Sequence, residues 1–404
     1  MSTPVRSACE AVLARPALRV GLVAGEASGD QLGAALIGAL RERVGRLECF
    51  GVAGAKMAAA GCEVWESAES LAVMGFTEVL PHLPRLLRLR AELTRRFTEA
   101  RPDVFIGIDA PAFNLGLAAR LHGAGITTVQ YVAPQVWAWR QSRVRKIGRA
   151  CDLVLCLLPF EMGFYARHGV VAEFVGHPLA DQIPLAADRA GARDALGLPA
   201  EGTVVALLPG SRAAEVDRLG GEFLAAAAWI AARRPEVRFV APMASARARE
   251  IFQSKRAEVP ESPEVLITDG QAQRVLAACD GALVASGTAT LETLLSRRVM
   301  VVAYRLGSLT AFLLRRLRLV KVPYFSQPNL LLGRAFVPEF FQEQVRPAAL
   351  GEALLGRLED AAYRRELAVE FERVHRELRR GGAGRAADAI LGRLERLSAA
   401  QGHS

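Results

Sequence analysis

The chain of 404 residues has few cysteines, and none of the six stands in an arrangement that does chemistry. Cys9, Cys49, Cys62, Cys151, Cys156 and Cys279 are scattered, with no CxxC pair and no Cys/His spacing of a zinc site. That argues against metal catalysis by thiolates and for reduced, mostly buried thiols in a cytoplasm. No apolar run reaches the roughly eighteen residues a membrane-spanning helix needs. The first nineteen residues lack a clean apolar segment of the secretory type, so neither a span nor a signal is expected. Acidic residues are missing from one long stretch. Between Thr293 and Pro338 there is no Asp or Glu, while Arg297, Arg298, Arg305, Arg315, Arg316, Arg318, Lys321 and Arg334 stand there. This segment nearly accounts for the net charge of +9. A charge excess gathered in one place predicts an anionic partner: nucleic acid, anionic lipid or a phosphorylated substrate.

What is present is a globular composition, 51% apolar and 23% charged, long enough for two domains. Short apolar strands are expected at 19–24, 104–108, 127–132, 153–157, 203–208, 238–241, 282–285 and 299–303. Helical periodicity follows most of them, as at 31–44, 115–123, 215–234 and 289–296. Strands alternating with helices predict an α/β protein with parallel sheets covered on both faces. Runs such as VVALL (204–208) suit central strands buried on both sides. The series breaks once, over 178–202, which reads as a linker. Each half then opens alike, with a strand, a Gly/Ser loop and a helix. The expected architecture is two Rossmann-like domains facing across a cleft, 1–190 and 203–346, with a helical tail over 347–404. That tail has no strand left to pair, so its helices should pack on another surface, the first domain or a partner subunit.

In open parallel sheets ligands bind beyond the carboxyl ends of the strands, so the loops there carry the candidates. Gly25-Glu26-Ala27-Ser28-Gly29-Asp30 lacks the GxGxxG spacing of a dinucleotide site, and its two carboxylates would repel a pyrophosphate. Glu26 could hold a sugar hydroxyl or be a surface residue at a helix start, which Ser28 or Asp30 would cap. Asp109 ends an apolar strand beside Pro111. It could be a general base with a raised pKa, or an N-cap or Asx turn. Gly210, Ser211 and Arg212 precede a helix whose first turn Glu215 would cap, and suit a phosphate: backbone access, a hydroxyl and a bidentate cation. Ser286, Gly287, Thr288 and Ala289 open another helix, where N–H groups suit a diphosphate. Glu292, four residues beyond Thr288, shares its side and can accept from two ribose hydroxyls. A nucleotide diphosphate held this way predicts a nucleotide-sugar donor.

The motifs together resemble the lipid-A-disaccharide synthase family, inverting glycosyltransferases of the two-Rossmann, GT-B type. The matching segments are AGEASGD (24–30), GVAGAKMAAAG (51–61), LAVMGFTEVLPHLP (71–84), FIGIDAPAFN (105–114), QYVAPQVWAWR (130–140), LPFE (158–161), FVGHPLAD (174–181), LLPGSRAAEV (207–216), SGTATLE (286–292) and VPYFSQPNLL (322–331). The resemblance implies transfer of a sugar from UDP-2,3-diacylglucosamine to the 6-hydroxyl of 2,3-diacylglucosamine 1-phosphate (lipid X), giving a β-1,6 disaccharide and UDP. It places the general base on Asp109, the acidic residue of the first glycine loop on Glu26, the donor-side arginine on Arg212, the ribose-binding acid on Glu292 and an asparagine important for activity on Asn329. The family usually reads Asp-Ala-Pro-Asp-Phe-Asn where this chain has Ala112 in the fourth place, which leaves Asp109 the loop's only carboxylate. No cofactor or metal is expected, since Arg212 and helix N-termini can stabilise the leaving group and no DxD pair ends a strand.

Acylated substrates imply contact with a membrane. Val79, Leu80, Leu83, Leu86 and Leu87, flanked by Arg85, Arg88 and Arg90, form an apolar face suited to an anionic inner-membrane surface or an acyl groove. The basic stretch 312–321 has the same character. Trp137 and Trp139 could line the cleft or sit in the core. The expected place is the cytoplasm, peripherally on the inner membrane. The family precedent is a homodimer. Nucleic acid is not expected as a partner, for want of a motif or stacking platform. The competing functions are another GT-B enzyme on UDP-GlcNAc (a 2-epimerase or the lipid II glycosyltransferase) and a non-catalytic UDP-sugar or lipid-binding protein.

Overall fold

A computed structural model describes residues 17–71, 76–139, 141–259, 261–307 and 323–401. The chain divides into two compact units, Met1–Pro178 with Leu378–Ser404, and Leu179–Glu377.

In the first unit the strands are β1 (Leu18–Ala24), β2 (Leu47–Ala53), β3 (Cys62–Ser67), β4 (Val104–Ile108), β5 (Thr127–Tyr131), β6 (Leu153–Cys156) and β7 (Ala172–Phe174). They form one parallel sheet in the order β3-β2-β1-β4-β5-β6-β7. Every residue of β4 and β6 is buried, as continuous apolar runs between two helical layers require. One face is covered by Leu36, Ile37 and Leu40 of helix Ala27–Arg41 and by Ala386, Ile390 and Leu394 of helix Gly382–Gln401. The other is covered by Leu93 and Phe97 of helix Phe76–Ala100, Leu117 and Leu121 of Pro111–Gly123, and Ile147 of Val144–Ala150. The last helix thus returns to the first sheet, where Arg43 Nε holds the Asp388 carboxylate at 2.6 Å.

In the second unit β8 (Val204–Leu208), β9 (Arg238–Met243), β10 (Val265–Asp269), β11 (Gly281–Ala285), β12 (Val299–Tyr304) and β13 (Glu339–Phe341) form a parallel sheet in the order β10-β9-β8-β11-β12-β13. Helix Pro347–Glu359 and most of Ala361–Leu378 belong to this unit, so the segment expected to be one tail is shared out. The start of the unit is tied to the sheet by Arg193, which is fully buried. Its guanidinium donates to the carbonyls of Ala278, Pro199, Ala200 and Gly202 and to Asp280. A buried guanidinium is tolerated only when its donors are used in this way.

All eight expected strands form, within a residue or two of their expected ends. Strands β2, β3, β7, β10 and β13 were not expected. Four of these are short or lie at a sheet edge, and β3 and β10 are broken up by polar residues, Glu63, Glu66 and Ser67 in the one and Thr268 and Asp269 in the other, so no continuous apolar run announces them.

Candidate active site

Both sheets reverse strand order once, between β1 and β4 in the first unit and between β8 and β11 in the second. At such a point the loops leaving the two strands part and open a crevice. The four loops that carry the candidates leave these four strands.

In the first unit, Gly25 and the Asp109 loop are in contact. A Cβ on Gly25 would stand 2.7 Å from the Cβ of Ala110, so only glycine permits this approach. Glu26 follows, exposed, as the N-cap of helix Ala27–Arg41, with no side-chain cap bond. Ser28 and Asp30 do not cap that helix, as they were expected to. Asp30 lies inside it and caps a different one, accepting the N–H groups of Gly54, Lys56 and Met57 at 2.9–3.0 Å ahead of and within helix Ala55–Ala59. The carboxylate at that helix N-terminus fixes the turn after β2.

Asp109 is followed by the helix Pro111–Gly123 and takes a left-handed conformation, φ +51°, as does Ala110, φ +40°. Each such residue costs about 1–2 kcal/mol relative to the right-handed form, less for Asp than for Ala. The neighbouring groups hold it there. Its N–H donates to Tyr131 O at 2.8 Å, and its carbonyl accepts Asn114 Nδ2 at 2.9 Å and Gln130 Nε2 at 3.0 Å. Burial pushes the Asp109 carboxyl above its usual range, partly countered by the Ala110 N–H. A raised, still accessible carboxylate at a strand end has the properties of a general base. Ala112 is exposed, and its carbonyl accepts Arg90 Nη2 at 3.0 Å.

Sequence reasoning did not single out Glu161. It sits at the start of helix Pro159–Ala166, buried, accepting Trp137 Nε1 at 3.1 Å and the Leu158 N–H at 3.1 Å. Burial raises its pKa to about 7, against the lowering effect of those bonds. The signal for it was the acid in LPFE. Trp137 thus has a partner in its own unit, and it packs edge-on against Phe160.

In the second unit the turn at Gly210 has φ +130°. The Ser211 and Arg212 N–H groups donate to the Glu215 carboxylate at 3.1 and 3.3 Å. The Ser211 and Arg212 N–H groups are therefore used by the cap, and an anion is left the exposed Ser211 hydroxyl and the Arg212 guanidinium, 79% exposed. After β11, Ser286 has both donors engaged, its N–H to Ala303 O at 2.9 Å and its hydroxyl to Phe325 O at 2.8 Å. Gly287 and Thr288 are exposed at the start of helix Thr288–Leu295, with Ala289 in its first turn, where a helix leaves its N–H groups unused. Glu292, one turn on, is half-buried, and burial raises its pKa.

Asn329 is buried in helix Gln327–Leu332, and its side chain is fully engaged. Nδ2 donates to Val337 O and Glu339 Oε1 at 2.9 and 2.8 Å, and Oδ1 accepts the N–H groups of Phe336 and Val337, both at 2.8 Å. Glu339 also takes the Phe325 and Ser326 N–H groups. Asn329 therefore holds a loop that also receives Ser286.

Of the expected membrane face, Leu83 and Leu87 are 43% and 47% exposed and Leu86 is partly buried. The side chains of Val79 and Leu80, Gly75, the stretch 312–321 and the side chain of Trp139 lie outside the described residues. Among the described residues no helix is long and apolar enough to cross a membrane.

The family model for lipid-A-disaccharide synthetase matches residues 20–390. A lipid-A-disaccharide synthase of Pseudomonas aeruginosa (strain UCBPP-PA14) is 53% identical over 379 residues, 94% of this chain and 99% of that one. One from Salmonella paratyphi A is 49% identical over 374 residues, 93% and 97% of the two chains. Among solved structures, the glycotransferase of kitacinnamycin aligns with a TM-score of 0.61 at 18% identity, covering 93% of this chain and 98% of its own. At that identity the likeness shows the fold alone: α/β, with the two parallel sheets of a GT-B glycosyltransferase, as expected from the sequence.

Proposed function

This chain belongs to the lipid-A-disaccharide synthase family, and from that premise we propose which of its residues carry the reaction. It is a glycosyltransferase that forms the lipid A disaccharide, from UDP-2,3-diacylglucosamine and 2,3-diacylglucosamine 1-phosphate, with release of UDP. Asp109 takes the proton of the acceptor 6-hydroxyl. The oxygen attacks C1 of the donor sugar, the bond from C1 to the diphosphate oxygen breaks, and its electron pair leaves with UDP. Glu26, on the loop that touches Ala110, orients the acceptor. Arg212 and the N–H groups of Gly287, Thr288 and Ala289 take up the charge that grows on the diphosphate. Glu292 accepts from the ribose hydroxyls. Gly210 and Ser211 shape the turn that presents Arg212, and Ser286 and Asn329 act by holding the neighbouring loop.

The observation that carries this reading is Asp109 itself, a half-buried carboxylate in a strained backbone at a strand-order reversal. The same reading places the protein peripherally on the cytoplasmic side of an anionic inner membrane, with Leu83 and Leu87 at the lipid, and as a homodimer. The test is disaccharide formation and UDP release with diacylated and with unacylated UDP-glucosamine. Asp109→Asn is expected to lower kcat by about a hundredfold or more while UDP binding and the melting temperature stay near wild type. A variant as fast as the parent overturns the assignment of the base.

A further inference from the structure

We propose that Gln130 is a positioning residue for the transfer, acting through the backbone of Asp109, with Asn114 as its counterpart on the other side. The proposal rests on Asp109 being the base.

Gln130 lies near the end of β5, TTVQY, and is 1% exposed. Its Nε2 faces three carbonyl oxygens, those of Asp109 at 3.0 Å and of Tyr131 and Val132 at 3.3 Å. Two of those three residues are left-handed without being glycine, Asp109 at φ +51° and Val132 at φ +74°. For a β-branched residue that is a clear departure from the allowed region. One amide group therefore ties together the strained ends of two neighbouring strands, β4 and β5. Asn114 approaches from the helix. Its Nδ2 donates to Asp109 O at 2.9 Å, with Ile108 O and Val23 O at 3.3 Å. Gly107 makes room for it, since a Cβ there would stand 2.8 Å from the Cβ of Asn114. With its N–H on Tyr131 O, the Asp109 backbone is fixed at both ends, and only its side-chain torsions remain free.

Neither amide is placed as stability alone would place it. Gln130 Oε1 and Asn114 Oδ1 are buried and have no hydrogen-bond partner among the described residues. An unmet acceptor in the interior is unfavourable, and an apolar side chain of the same size would avoid it. What each residue supplies is its donor, and both donors meet on the carbonyl of Asp109. A base works only when its oxygen stands within hydrogen-bond reach of the proton it takes, and small displacements are costly in rate.

The test is Gln130→Met, which keeps the length and removes the donor. Its kcat is expected to fall about tenfold to a hundredfold, with KM for both substrates and the melting temperature unchanged, and with no further loss when it is added to Asp109→Asn. Asn114→Ser, which withdraws the other donor, carries the same expectation should Gln130→Met not fold. A purely structural residue would lower the melting temperature and act equally in both backgrounds. That result, or an unchanged kcat alongside an inactive Asp109→Asn, overturns the proposal and leaves the assignment of the base standing. A fully active Asp109→Asn overturns both.

Discussion

The Glu215 carboxylate accepts the N–H of Arg212 at 3.3 Å and lies 3.7 Å from the same residue's guanidinium. The acid of the capping box thus occupies two amide groups that a phosphate would otherwise use, and it lies beside the exposed Arg212 guanidinium. A helix N-terminus capped from within is a poor anion site through its amides, so the charge of a bound diphosphate falls on the guanidinium. Arg212→Ala is expected to weaken UDP binding about tenfold to a hundredfold, read by calorimetry, with no change in melting temperature because the side chain is largely exposed. Arg212→Lys should recover only part of the loss, since an ammonium does not bind two oxygens in a fork. Glu215→Ala should cost about 1 kcal/mol of stability and tighten UDP, because it frees two amides and removes a negative charge. Weaker UDP binding in Glu215→Ala would show that the cap is needed to present the arginine.

Glu161 gives a pH dependence with a definite sign. Its folded pKa, about 7, lies above the usual carboxylate value because the group is buried. Unfolded, it titrates near about 4.3. Below that pH both states are protonated and Glu161 contributes no slope. Between about 4.3 and about 7 the folded state keeps a proton that the unfolded state has lost, so stability falls as pH rises. Above about 7 the full cost of a buried charge is present. Glu161→Gln cannot ionise. Its melting temperature, relative to wild type, should therefore move in its favour between pH 5 and pH 8, on the order of five degrees. A difference that is flat across that range would mean that the carboxyl is already ionised at pH 5.

The strands that build the reversal points were legible because they are buried on both faces. VVALL in β8 and VFIGI in β4 carry the pattern without interruption. From those strands the rule for parallel sheets led to Glu26, Asp109, Arg212 and Ser286, and each lies on a loop leaving such a strand. What stayed illegible depends on contacts between distant segments. Asp30 looks like a cap for the helix it lies in, and only the fold reveals that it caps residues 54–57. Glu215 is legible as a cap, but not the fact that it removes the amides from use. Gln130 reads as an ordinary interruption of an apolar strand, because a sequence does not record the φ of Asp109 or Val132. Asn329 was legible only by resemblance, and nothing in QPNLL says that four hydrogen bonds will use up its amide.

Leu83 and Leu87 lie one helical turn apart on Phe76–Ala100, so they share a face, and both are more than two-fifths exposed. Arg85 and Arg88 are exposed beside them. Two leucines in water at the surface of a helix are unfavourable by about 1–2 kcal/mol each relative to burial, which is the gain available on entering the boundary of a bilayer. The arginines add attraction to anionic headgroups that salt screens. Replacing both leucines with serine should therefore reduce cosedimentation with anionic vesicles about tenfold or more. The melting temperature should not fall, because the leucines contribute little to the core. With acceptor and donor dispersed in detergent, kcat should stay at the wild-type value, since the substitution removes the surface and leaves the base and the donor site intact. High salt should weaken the wild-type association without abolishing it, which separates the apolar part from the ionic one. Unchanged vesicle binding by the double variant would move the lipid contact away from this helix. A loss of rate in detergent would instead assign the two leucines to the acyl chains of the substrate itself.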